Sequence, residues 1–148
     1  MIADQLRALG MRSVRRTERG TVVAADCLLV DTTGELRDWY SVATIVFMGK
    51  SLAARGGQNP VEAIVANRPV IFGPHMENFA ALARDLVAAG GALQADDELA
   101  LTNTLGTLFR NPGDRERLIQ HARTVLDIHR GATERTAGLL DKLISLAA

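Results

Sequence analysis

Short apolar runs alternate with amphipathic stretches along most of this chain. Runs of four apolar residues at Cys27–Val30, Ile45–Met48 and Pro69–Phe72 are typical of strands buried on both faces of a parallel sheet. After each run, apolar residues recur at helical spacing. The alternation predicts a parallel sheet with helices on both faces, which is the doubly wound α/β class.

Weaker signals complete the order of elements. The short strands predicted outside the three runs are Ser13–Arg16, Thr21–Ala25 and Ala92–Gln94. The helices predicted from apolar spacing and from Gly and Pro positions are Ile2–Leu9, Gly34–Tyr40, Pro60–Ala66, Asn78–Ala89, Glu98–Phe109, Pro112–Ile128 and Thr133–Leu146. Between the second strand and its helix, Gly49–Asn59 is predicted as a loop. A length of 148 residues suffices for one core, so residues 1–148 are expected to form one domain.

Composition narrows the class of partner. Seventeen basic residues balance 17 acidic ones, so no bulk field is expected to attract nucleic acid or an anionic membrane. The single cysteine, Cys27, excludes an intramolecular disulfide and is expected to be a small buried hydrophobe. No apolar run approaches the roughly 20 residues of a membrane span, and the chain is expected to be cytosolic.

Residues suited to ligand binding follow the three apolar runs. They lie in Asp31–Glu35, in Gly49–Asn59 and in Gly73–His75. In doubly wound sheets, ligands bind outside the carboxyl ends of the strands. The three loops are therefore expected on one edge of the predicted sheet.

The glycine loop before the helix at Pro60 is a candidate anion site. Gly56 and Gly57 leave backbone N–H groups accessible, and a helix N-terminus attracts negative charge. The pattern is neither a Walker loop nor GxGxxG. Lys50 and Ser51 resemble the end of a Walker motif, but Thr44 stands where its first glycine belongs, so nucleoside triphosphate hydrolysis is disfavoured.

Several side chains in these loops and in the terminal helices have two interpretations. Glu62 and Glu35 stand at helix starts, where each is either a capping charge or a ligand contact. His75 is either a packed turn residue or a catalyst, whereas His121 and His129 are expected at the surface or in packing. No metal site and no cofactor are expected, because neither histidines nor carboxylates show ligand spacing.

Six short motifs, in the same order and spacing, resemble those of one known family. They are Asp31–Leu36 against DTMGEL, Phe47–Leu52 against FVGGSL, Arg55–Glu62 against RGGHNPLE, Gly73–His75 with Asn78–Phe79, Gly90–Ala92 and Arg130–Ala132. The family is the 3-deoxy-D-manno-octulosonic acid (Kdo) transferases of lipopolysaccharide synthesis, which are GT-B glycosyltransferases. The resemblance implies a Rossmann-like three-layer domain, corresponding to a truncated C-terminal half of such an enzyme.

The resemblance also implies a ligand and its contacts. Family members transfer Kdo from CMP-Kdo to a lipid A precursor, holding CMP (cytidine monophosphate) in the C-terminal domain and the acceptor in the N-terminal one. By motif match, the residues implied to bind CMP are Thr33, Gly34, Glu35, Asn59, Pro60, Val61 and Glu62. Glu62 is implied as the ribose partner, and amides around Gly57–Asn59 as the phosphate partners, with Ser51 and Gly57 as secondary contacts.

The family's catalytic base lies in the N-terminal domain, outside the matched segment. No catalytic residue is therefore expected in this chain, which is expected to be inactive alone and to need a separate acceptor-binding domain. Loss of that domain would leave apolar side chains partly uncovered, which favours a homodimer. The side chains concerned are Ile128, Leu139, Leu140, Leu143 and Leu146. A cytoplasmic location, with peripheral attachment at the inner membrane, is also expected.

Five residues depart from the family pattern. Val30 and Lys50 replace glycines, Thr33 replaces methionine, Gln58 replaces histidine and Ala63 replaces proline. A lysine at position 50 removes the backbone freedom of glycine and adds a charge that either meets a phosphate or blocks the pocket. The alternative function is a non-catalytic remnant or interaction module whose nucleotide site is lost.

Overall fold

The computed structural model describes residues 2–18 and 24–129, together with residues 137, 138, 142 and 144. The chain divides into two compact units, Met1–Asp38 and Trp39–Ala148. Each unit contains a parallel sheet of its own, with two strands in the first and three in the second. The strands predicted as one sheet are therefore divided between two sheets, and the three loops do not follow a single sheet.

The first unit is built around two short parallel strands. Helix α1 (Ile2–Ala8) precedes β1 (Ser13–Arg15), which pairs with β2 (Cys27–Leu29) so that Ser13 stands opposite Cys27. No residue of α1 is buried, and every residue of both strands remains at least partly accessible. In the predicted strand Thr21–Ala25, residues 21–23 lie outside the described part, and residues 24 and 25 are not in a strand.

The second unit contains three parallel strands in the order β3–β4–β5. The strands are β3 (Val46–Met48), β4 (Val70–Phe72) and β5 (Leu93–Gln94). The helices are α2 (Leu36–Val42), which contains the boundary between the units, α3 (Lys50–Ala53), α4 (Val61–Val65), the 3₁₀ helix Glu77–Phe79, α5 (Ala80–Ala88), α6 (Glu98–Arg110) and α7 (Pro112–His129).

Alternating side chains cover both faces of the three-stranded sheet. Val70 and Phe72 join one core with residues of α4, α5 and α7, and Ile71 joins a second core with Leu108 of α6. All three β4 residues are completely buried. An apolar run without polar alternation is therefore confirmed as a central strand between two layers of helix.

The structure corrects several boundaries. Helix α3 lies within Gly49–Asn59, which was predicted to be a loop without helix. Helix α4 has 5 residues, fewer than the predicted Pro60–Ala66, because Pro60 is its N-cap and the chain turns at Asn67, where φ is +59°. The predicted helix Thr133–Leu146 lies outside the described residues except at 137, 138, 142 and 144, which are helical.

The expected apolar patch and the expected absence of a membrane span concern residues that the structure describes only in part. Ile128 is 71% exposed, and the leucines expected to form the apolar patch with it lie outside the described residues. None of the helices in the described part of the chain combines the length and apolar character needed to cross a membrane.

Candidate functional site

Ser51 joins the loop after β3 to the loop after β4. Its hydroxyl is completely buried, donates to the Met48 carbonyl and accepts a hydrogen bond of 2.7 Å from the Gly73 N–H. Its carbonyl accepts a further bond of 2.9 Å from the His75 N–H. Both hydrogen bonds of the Ser51 hydroxyl are made to other described residues of the protein. Ser51, predicted as a secondary contact of CMP, therefore has a structural role here.

Gly57 faces the core, and Gly56 faces a cluster of polar side chains. A β-carbon at Gly57 would stand 2.6 Å from Met76 Sδ, in a position where φ is +62°. At Gly56, where φ is +97°, the nearest atoms are Asn78 Nδ2 at 3.0 Å and Lys50 Nζ at 3.4 Å from the same position. Gly57 therefore requires glycine for backbone conformation and for space, and Gly56 requires it for its positive φ.

Glu77 occupies one amide of the glycine loop. Its Oε2 accepts a hydrogen bond of 2.6 Å from the Gly56 N–H, and its Oε1 lies 3.3 Å from His75 Nδ1. The bond from Gly56, more than the neighbouring His75, lowers the pKa of the Glu77 carboxyl. The Gly56 amide is consequently already bonded to an anionic side chain, whereas the sequence pattern predicts that it is open to a ligand.

Asn59 shapes the turn into α4. Its Oδ1 accepts a hydrogen bond of 3.0 Å from the Val61 N–H, and Pro60 beside it is buried. Val61 is half-buried, and Glu62 is exposed in the first turn of the helix. Helix α4 is short and its Val61 amide is already bonded. Its N-terminus therefore has fewer free N–H groups and a weaker dipole for binding an anion than the longer predicted helix would have.

Glu62 lies near Tyr40. The pKa of the Tyr40 hydroxyl is raised by burial and, to a smaller extent, by the negative charge of Glu62. No hydrogen bond or ion pair of the Glu62 side chain occurs among the described residues. This exposed carboxylate therefore makes no capping hydrogen bond among the described residues, while its place in the first turn of α4 still suits the helix dipole.

The other predicted segment, Thr33–Glu35, belongs to the first unit. Glu35 Oε2 accepts hydrogen bonds from Arg16 Nε at 3.2 Å and from Thr32 Oγ1 at 3.0 Å. Thr33 is exposed, and Gly34 has a φ of +87° with nothing within 4 Å of a β-carbon placed there. Glu35 is thus oriented by its neighbours, with the open face of Gly34 beside it.

Asp31 holds the start of the same loop. Its carboxylate accepts hydrogen bonds from the Thr17 hydroxyl at 2.7 Å and from the Thr17 N–H at 3.1 Å. The bond from the hydroxyl is the main reason that the pKa of Asp31 is lowered. All of these groups are accessible to solvent, so polar contacts fix this loop without a buried anchor.

The predicted residues therefore fall into two groups. Ser51 in α3, and Gly57 and Asn59–Glu62 in the loop and helix start that follow it, belong to the second unit, and Thr33–Glu35 share one loop of the first. His75 contacts Glu77 beside the glycine loop. No group of three potential metal ligands occurs among the residues that the structure describes.

Three residues near this loop were missed or given no role by sequence reasoning. Glu77 was missed because its bond to Gly56 spans 21 residues and follows no motif. Tyr40 was missed because its nearness to Glu62 depends on the packing of α2. Asn78 belongs to the family motif that includes Asn78–Phe79, but that motif alone did not indicate its position beside Gly56.

Comparison with known proteins indicates a family. No family model matches the chain. It is 41% identical over 143 residues to a 3-deoxy-D-manno-octulosonic acid transferase of Bordetella pertussis, covering 94% of this chain and 33% of that protein. A transferase of the same name from Haemophilus influenzae is 34% identical over 142 residues, with 95% and 33% coverage. The chain thus spans about one third of the length of these curated relatives.

A solved structure agrees with the sequence matches. The crystal structure of the C-terminal CMP-Kdo binding domain of WaaA from Acinetobacter baumannii has a TM-score of 0.79 to this chain and 26% sequence identity. The match covers 84% of this chain and 66% of that one. The resemblance and the Rossmann-like α/β class expected from the sequence are both confirmed.

Proposed function

Since this chain belongs to the Kdo transferase family over the third of those proteins that it spans, we propose that it is their donor-binding part, with CMP-Kdo as its ligand. The likeness to a CMP-Kdo binding domain supports CMP-Kdo as the ligand. The shared name of the relatives supports transfer of Kdo as the reaction in which this donor takes part. The residues proposed to bind CMP are Thr33, Gly34, Glu35, Asn59, Pro60, Val61 and Glu62.

The start of α4 is the observation that carries this proposal. Asn59 orders the turn through its bond to the Val61 N–H, and the exposed Glu62 carboxylate has no side-chain partner among the described residues. A carboxylate that is fixed at its backbone and open at its tip suits a pair of ribose hydroxyls. We assign Glu62 this role.

The phosphate of CMP needs N–H donors. The Gly56 N–H is bonded to Glu77, so we assign the phosphate to the amides of Gly57, Gln58 and Asn59. Thr33 contributes a hydroxyl and Gly34 an unobstructed backbone, and Glu35 is kept in place by Arg16. Thr33 and Gly34 are accessible, and Glu35 is held in position.

Transfer of the sugar requires more than donor binding. We propose that the chain acts as the C-terminal domain of a GT-B enzyme, that a separate domain binds the lipid A precursor at the cytoplasmic side, and that the chain alone transfers no Kdo. We further propose that residues 1–148 form one domain and that the chain forms a homodimer.

Calorimetric titration with CMP tests the proposal. Wild-type protein is expected to bind CMP more tightly than UMP, and Glu62→Ala to weaken CMP binding about tenfold, since a hydrogen bond to a charged group is lost. Glu98→Ala is the matched control, because Glu98 is also an exposed acid in the first turn of a helix. Absence of binding at millimolar CMP would contradict the proposal and favour a remnant with a lost site.

A further inference from the structure

Lys50 is one of only two lysines in the chain, the other being Lys142. It begins α3, and its Nζ lies beside Gly56, 3.4 Å from where a β-carbon of that residue would stand. Among the described residues its ammonium group has no carboxylate partner and no hydrogen bond. A cation in the middle of the glycine loop is therefore left without a protein acceptor.

The amide of Asn78 converges on the same point. Its Nδ2 lies 3.0 Å from the β-carbon position of Gly56 and has no hydrogen-bond partner among the described residues. Two donors thus approach one glycine from two different elements, α3 and the 3₁₀ helix. Both side chains are exposed, so a small acceptor can approach the two donors from the solvent side, whereas a side chain at position 56 would crowd them.

Two arginines of the second unit have a structural role. Arg68 donates to the carbonyls of Tyr40 and Ser41 at the end of α2, and Arg115 donates to the Leu108 carbonyl of α6. These arginines satisfy backbone acceptors and so stabilise the fold. Lys50 satisfies none and so differs from these two arginines, although Arg55 in the same loop also has no partner among the described residues.

We propose that Lys50 Nζ and Asn78 Nδ2 together bind an oxyanion of the donor. The inference rests on the proposed function, which supplies a ligand with two such groups, the phosphate of CMP and the carboxylate of the sugar acid. An ammonium group and an amide N–H are suitable donors for either group, and a charge-assisted bond is stronger than a neutral one. Lys50 thereby becomes an anion-binding residue where the family pattern has glycine.

The negative charge of Glu77 opposes anion binding at this site. Its carboxylate contacts the same glycine, through the Gly56 N–H, and forms no ion pair with Lys50. The other oxygen of Glu77, Oε1, contacts Nδ1 of the His75 ring. A bound oxyanion is therefore stabilised by Lys50 and weakly repelled by Glu77, so Glu77→Gln is expected to tighten binding two- to threefold.

Lysine-selective ¹³C labelling gives a direct reading of the site. Only two sets of ε-CH₂ signals from Lys50 and Lys142 are expected, and Lys142→Met assigns them. Titration with CMP, with cytidine and with free Kdo is compared. A shift of the Lys50 signal with CMP but not with cytidine supports phosphate binding, and a shift with Kdo alone supports carboxylate binding.

Variants measure the size of the contact. Lys50→Met and Asn78→Ala are expected to weaken binding of the active anion about tenfold and about threefold, and Lys142→Met to leave it unchanged. Amide shifts at Glu62 with cytidine report the nucleoside site separately. If those shifts occur while Lys50 responds to no anion, the inference is overturned and the proposed function stands. If neither signal responds to any ligand, both are overturned.

Discussion

The two regions that carry the proposed CMP-binding residues are held in place by different forces. In the first unit, the loop at Thr33–Glu35 depends on solvent-accessible bonds such as those from Thr17 to Asp31 and from Arg16 to Glu35. In the second, the loop before α4 packs on the core through the buried Gly57 and Pro60, and a buried hydroxyl of Ser51 ties the preceding helix α3 to the loop after β4. Solvent and salt screen the first kind of contact, whereas the second is protected by the core.

This difference predicts two kinds of sensitivity. The loop of the first unit is expected to respond to pH and salt, because its contacts are ionic and exposed. The loop of the second unit is expected to respond to changes of volume and to loss of buried hydrogen bonds, because the interior is closely packed. The following predictions are ordered from the largest expected effect to the smallest.

Gly73→Ala is expected to have the largest effect. A β-carbon there would meet the Ser51 carbonyl and stand 2.6 Å from Leu52 Cα and 2.7 Å from Leu52 N, which are backbone atoms. We expect the free energy of unfolding of the second unit to fall by about 3 kcal/mol, as in overpacked cores. Urea unfolding followed by the fluorescence of Trp39, the single tryptophan, measures this change.

Gly113→Ala is the control for this substitution. Gly113 lies in the first turn of α7, and nothing stands within 4 Å of its β-carbon position. Alanine is expected to be neutral or to stabilise the protein by up to about 1 kcal/mol. Equal losses for both variants would show that the close approach at Gly73 is not what anchors the loop.

Ser51→Ala is expected to have the next largest effect. The change removes the acceptor of the Gly73 N–H in a fully buried position, so the free energy of unfolding should fall by about 1–3 kcal/mol. Thr102→Val is the comparison, because the Thr102 hydroxyl bonds the Glu98 carbonyl at an exposed position. If urea unfolding gives similar small losses for both, the buried bridge is not an anchor.

Acid is expected to affect the first unit next. The pKa values of Asp31 and Asp26 are lowered, chiefly by side-chain hydrogen bonds from Thr17 and Arg12 respectively. A folded-state pKa below the unfolded one means that the stabilisation is present above about pH 4 and is lost as pH falls through the folded pKa. The Thr17 amide signal should therefore shift on acidification below pH 4, and a signal constant to pH 2 would contradict the bond.

Arg16→Met is expected to have the smallest effect on stability. The pair with Glu35 is half-exposed, so its loss should lower the free energy of unfolding by less than about 1 kcal/mol. Amide exchange of the first unit measures the change, and Arg37→Met, also exposed, is the control. A fall in the free energy of unfolding above about 2 kcal/mol, or one insensitive to salt, would contradict the account that exposed contacts hold this loop.

Sequence patterns predicted the central strands because their physical cause is local. The run Pro69–Phe72 is apolar at each position, as suits a strand between two layers of helix, and Val70, Ile71 and Phe72 are completely buried. The separation of Ser13–Arg15 and Cys27–Leu29 into a second sheet was not predictable, because strand pairing depends on distant partners. Helix α3 was missed because four residues give no periodicity.

The candidate site shows the same limit. The family motifs indicated Asn59–Glu62 and Thr33–Glu35, and they marked Lys50 as a departure without deciding its effect. Its nearness to Asn78, and the bond from Gly56 to Glu77, arise where the loops after β3 and β4 meet. Contacts between loops distant in sequence have no local pattern, so only the structure supplied them.

The most direct test of the central claim is an amide NMR titration of ¹⁵N-labelled protein with CMP. We predict that CMP shifts the amide signals of Thr33, Gly34 and Glu35 and those of Asn59, Val61 and Glu62. UMP should give smaller shifts. No shift in either segment at millimolar CMP would contradict the proposed nucleotide binding.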